Sequence, residues 1–127
     1  MAEQTELKYD IYQPFGPCIL KSKLPQSFVN LLNVEADRIL YDDELSKKND
    51  WSHNLAGNVK KEVFIDPQKI PLFPEFLMSL SQEYYKRTIK SDPASGSKVG
   101  FRVWVVSQYA GDFNPMHIHD SNLSGVA

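Results

Sequence analysis

The chain has 127 residues, 42% of them apolar and 24% charged, a composition that excludes disorder and implies one globular domain spanning residues 1–127. Its 14 Lys and Arg against 16 Asp and Glu give a net charge of −2, and without a basic block the electrostatic footprint of nucleic-acid binding is missing. The one cysteine, Cys18, and a polar, charged N-terminus point to the reducing cytoplasm, and no apolar run approaches the ~20 residues that span a bilayer.

The first predicted element is a strand, turn and strand over Ile11–Leu20, with Pro14, Gly16 and Pro17 at the turn. Pro25 then opens an amphipathic helix in which Phe28, Leu31, Leu32, Ala36, Ile39 and Leu40 recur at helical spacing. Asp42 to Asp50 reads as a solvated charge run, and Trp51 to Lys61 reads as a loop containing His53. A short strand follows at Val63-Phe64-Ile65, closed by Asp66-Pro67. Pro71 and Pro74 frame a second helix, from Pro74 to about Lys90, with Phe76, Leu77, Leu80 and Tyr84 as its stripe. Ser91 to Ser97 is the clearest linker.

The strongest strand signal is Val99 to Tyr109, where both alternating sets are largely apolar, as in a strand covered on both faces. Ala110 to Pro115 makes a turn, and Met116-His117-Ile118-His119-Asp120 forms a last extended piece. Residues two apart in extended chain project from one face, so the imidazoles of His117 and His119 can reach one point. Imidazole nitrogen binds iron, zinc, copper and nickel, and Asp120 is placed to complete or support such a site. The same spacing in a polar rim also serves solvated histidines. Trp104 and Tyr109, on the strand that leads into the pair, are the aromatic candidates for a cofactor-binding cavity; aromatics at this spacing also build cores. His53, in a polar loop, is expected to be solvated, and Cys18 has no neighbour that would activate its thiol. No phosphate loop, Gly-x-Ser-x-Gly elbow or Cys-x-x-Cys pair occurs.

Three segments, Tyr9 to Pro17, Leu55-Ala56-Gly57-Asn58-Val59, and above all Asn114 to Asp120 with Leu123-Ser124-Gly125-Val126, together resemble the 2-oxoglutarate- and Fe(II)-dependent oxygenases common in marine phages and bacteria. The resemblance implies an α+β fold: the N-terminal part of a double-stranded β-helix, or jelly roll, with two bracing helices. It also implies Fe(II) and 2-oxoglutarate as cofactors. His117 matches the first metal-ligand position, and His119 falls where the superfamily often has a carboxylate. In the family, further strands bring a distal histidine and a basic residue for 2-oxoglutarate, so the resemblance implies a chain that stops after the first ligand motif. A second copy is expected to cover the open sheet edge, and the substrate, a small molecule or a protein side chain, is left open. Two other readings compete: a non-catalytic β-sandwich binding or structural module with a vestigial metal site, and a zinc hydrolase using Asp112 or Asp120 as base.

Overall fold

The computed structural model describes residues 7–52, 61–90 and 98–127. His53, the Leu55–Val59 segment and the Ser91–Ser97 linker lie outside the described residues. The described residues form an α+β arrangement of two antiparallel two-stranded sheets, β1 (Tyr9–Tyr12) with β2 (Ile19–Ser22) and β3 (Lys61–Ile65) with β4 (Val103–Ser107), and three helices, α1 (Gln26–Leu40), α2 (Asp43–Lys48) and α3 (Phe73–Tyr84). None of these helices is long and apolar enough to cross a membrane.

The β1–β2 hairpin turns through Gly16, whose φ of 136° is a conformation that side chains with a Cβ rarely adopt. It is clasped to the end of α3. Tyr9 Oη donates to Glu83 Oε2 at 2.8 Å, Arg87 Nε donates to Tyr9 Oη at 3.1 Å, and Tyr84 Oη donates to the Cys18 carbonyl at 2.8 Å.

The core lies between α1, the inner face of β3–β4 and the start of α3. Ala36 and Ile39 from α1 meet Val63 and Ile65 from β3, Ile70, and Phe73 from α3. Val103 and Val105 pack against this cluster from β4. Strand alternation explains the set, because Val63 and Ile65 share one face and pair in register with Val105 and Val103.

Three elements differ from the sequence expectation. The charge run contains a helix, α2, because Asp42 caps it: the Leu45 N–H donates to Asp42 Oδ1 at 2.9 Å, acids occupy its first turn and lysines its last. Asp42→Ala is expected to cost about 1 kcal/mol of stability, read as a shifted urea midpoint. The second helix is α-helical only to Tyr84 and continues as a π-helical turn over Tyr85–Ile89, ended by Lys90 at φ 55°. The long strand is shorter than expected, Val103–Ser107, and one face only is packed on the core: Val103 and Val105 are inside, whereas Trp104 is 37% exposed on the other side. That outer face positions the candidate site.

Candidate metal centre

With Val63 and Ile65 committed to the core, Glu62 and Phe64 must project from the opposite face of β3. The register sets Val106 opposite Glu62 and Trp104 opposite Phe64. On the other flank the Trp51 amide donates to the Glu62 carbonyl at 2.9 Å, and the Trp51 ring lies 4.9 Å from that of Phe64. The outer face is therefore an aromatic floor of Trp51, Phe64 and Trp104, with one acid, Glu62, set into it.

The histidines reach this floor by a turn. The Tyr109 N–H donates to Asp112 Oδ2, and the Asp112 N–H donates back to the Tyr109 carbonyl, both at 2.9 Å, while Gly111 takes φ 91°. The chain returns over the sheet so that the His119 ring lies 5.7 Å from the Trp104 ring, tilted by 34°. Residues 116–120 are irregular rather than a strand, yet the two imidazoles meet. His117 Nε2 and His119 Nε2 are 3.2 Å apart. His117 Nδ1 lies 2.7 Å from the Pro115 carbonyl. A carbonyl can only accept, so Nδ1 carries the proton and His117 Nε2 is left with its lone pair, the arrangement that second contacts impose on metal-binding imidazoles. Two nitrogens each ~2.0–2.1 Å from one ion stand about 2.9 Å apart at a right angle and about 3.3 Å apart at the tetrahedral angle. The observed spacing falls in that interval.

Asp120 does not join them. Its side chain, 89% exposed, pairs with Arg102 Nη2 at 3.2 Å. Glu62 is the opposite case, with 5% of its surface exposed. Burial pushes its carboxyl above the usual carboxylate range, His117 and His119 pull it back down, and Asp50 pushes it up again. Its carboxylate has neither hydrogen-bond donor nor ion-pair partner among the described residues. Among the described residues, no three His, Cys, Asp or Glu side chains converge on a single point.

Of the residues singled out from sequence, His117, His119 and Trp104 come together; Asp120 turns to Arg102; and Tyr109 contributes its backbone to the turn while its side chain lies beyond the end of β4. Sequence reasoning passed over Glu62 and Trp51. The signal for Glu62 was available, since an acid among Val63, Phe64 and Ile65 alternates with the core positions of a strand. Compared with protein-family models, curated proteins and solved structures, the chain matches none.

Proposed function

We propose that this chain carries the metal-binding part of a 2-oxoglutarate- and Fe(II)-dependent oxygenase of the hydroxylase type, built on a jelly roll to which the β3–β4 sheet belongs. The single observation that supports it most is the His117 and His119 pair, with Nε2 atoms 3.2 Å apart and the lone pair of His117 preset by Pro115. Imidazole nitrogens suit Fe(II), and a site with two of them leaves coordination positions open for a keto acid and oxygen. When bound, iron with 2-oxoglutarate supplies the oxidant that takes hydrogen from a substrate C–H bond.

The chain's own residues then have distinct tasks. His117 and His119 hold the ion. Arg102, one residue before β4, pairs with the exposed Asp120, the residue after His119, and is proposed as the cation that a keto-acid carboxylate would engage by displacing that weakly held ion pair. Trp104 keeps the His119 ring in place and, with Phe64, withholds water from one side. The cytoplasm suits this reading, since Fe(II) must stay reduced. A second copy is proposed as the cover for β4, which pairs with β3 alone among the described strands.

The test is anaerobic titration of the chain with Fe(II), with and without 2-oxoglutarate. One equivalent is expected to bind, and more tightly with 2-oxoglutarate present. An absence of binding overturns the proposal and favours a β-sandwich binding module.

A further inference from the structure

We infer, independently of the metal reading, that the outer face of the β1–β2 hairpin docks on an anionic phospholipid surface, with its apolar tip in the headgroup layer and its lysines on the phosphates.

The two faces of the hairpin have different surroundings. On the inner one, Tyr9, Leu20 and Ser22 are half-buried, and the bonds of Tyr9 to Glu83 and Arg87 and of Tyr84 to the Cys18 carbonyl hold the sheet against the end of α3. Strand alternation then turns Asp10, Tyr12, Ile19 and Lys21 outward, paired across the strands as Asp10 with Lys21 and Tyr12 with Ile19. Lys8 and Lys23 continue that face one residue beyond the paired segments, where Ser22 Oγ donates to the Lys8 carbonyl at 2.7 Å.

This outer face is divided along its length. At its base an open cleft of about 460 Å³ lies among Lys8, Tyr9, Asp10, Lys21, Ser22 and Lys23, three cations against one acid. None of the three lysines makes an ion pair among the described residues. Toward the tip, the ten residues from Ile11 to Leu20 carry no charge. Phe15 is 99% exposed there, Ile19 53% and Tyr12 50%. A contiguous exposed apolar cluster of this kind marks an interaction surface.

Charge complementarity selects the occupant. Apolar side chains at a tip, followed by lysines that keep their charged ends in water, match the order of layers at a membrane surface. Binding there combines buried apolar area with attraction to anionic lipid. A second copy of the same face would set three lysines against three, like charge on like charge. A nucleic-acid strand uses a succession of stacking rings along a basic groove, whereas here the apolar and basic parts are segregated.

The test is co-sedimentation at low ionic strength with vesicles of phosphatidylcholine mixed with an equal amount of phosphatidylglycerol, and with vesicles of phosphatidylcholine alone. The full chain is expected to sediment with the first and not the second, and added salt is expected to release it. Phe15→Ala, remote from the core, is expected to weaken binding about tenfold. Lys21→Gln and Lys23→Gln are each expected to weaken it about fivefold, while Lys47→Gln on α2 leaves it unchanged. Phe15→Trp is expected to shift its emission to the blue with the mixed vesicles only. Circular dichroism of each variant separates loss of fold from loss of binding.

Unchanged affinity in Phe15→Ala or in the Lys21 and Lys23 variants overturns the inference, as does equal binding to both kinds of vesicle or to neither. Binding of a single-stranded oligonucleotide in place of vesicles, lost in the lysine variants, overturns it in favour of a nucleic acid. A concentration-dependent dimer that Phe15→Ala abolishes, without vesicle binding, overturns it in favour of a second copy.

Discussion

Phe73→Ala is expected to lower unfolding stability by about 3–5 kcal/mol, measured as the shift of a urea midpoint at constant slope. Phe73 is 5% exposed at the start of α3, and its ring lies 5.5 Å from that of Phe28 on α1. Phe28 in turn stands 5.3 Å from Phe76, one turn further along α3. Removing the ring therefore opens a cavity at the junction of α1 and α3, beside the almost fully buried Ile70. Neither helix can collapse into it, since α1 is also committed through Ile39 to Val63 and Ile65. Against a total of roughly 5–15 kcal/mol for a domain, the loss leaves a substantial unfolded population. Phe15→Ala is the contrast: Phe15 is 99% exposed, and its removal is expected to change stability by no more than ~0.5 kcal/mol.

His117→Ala is expected to weaken Fe(II) binding by about a hundredfold or more, with the far-ultraviolet circular dichroism unchanged. The argument is one of preorganisation. The contact of Nδ1 with the Pro115 carbonyl fixes both the tautomer and the ring orientation of His117, so this imidazole offers its lone pair without reorganising. The His119 ring lies tilted beside that of Trp104 at 5.7 Å, a contact that does not choose its tautomer. Trp104→Ala is accordingly expected to weaken the metal less than removal of either imidazole. Anaerobic calorimetry on the three variants orders the effects, and equal affinity in His117→Ala and the unsubstituted chain refutes the site.

What was legible in the sequence was local. The spacing of Phe28, Leu32, Ala36 and Ile39 specified α1 because a helix buries one stripe, and Val63 and Ile65 specified β3 because a strand buries alternate residues. The caps of α2 were equally local, yet a run of charges without an apolar stripe concealed them: Ser46 is the one residue of that helix that is buried. The spacing of His117 and His119 marked two imidazoles as candidates, but residues 116–120 are irregular rather than extended, so the approach of the two rings is not a consequence of strand alternation.

The convergence of the site is of another kind. That Asp120 is taken by Arg102, 18 residues away, depends on where the Tyr109 to Asp112 turn returns the chain, which no period in the sequence records. That Glu62 shares a face with Trp104 depends on pairing Ile65 with Val103, and a slip of one residue would have sent the acid to the other side of the sheet. The sequence by itself determined the elements and the candidate imidazoles, because periodicity and capping act over a few residues. Strand register and the path of one turn decided what surrounds those imidazoles, because both are set by packing between segments distant in the chain.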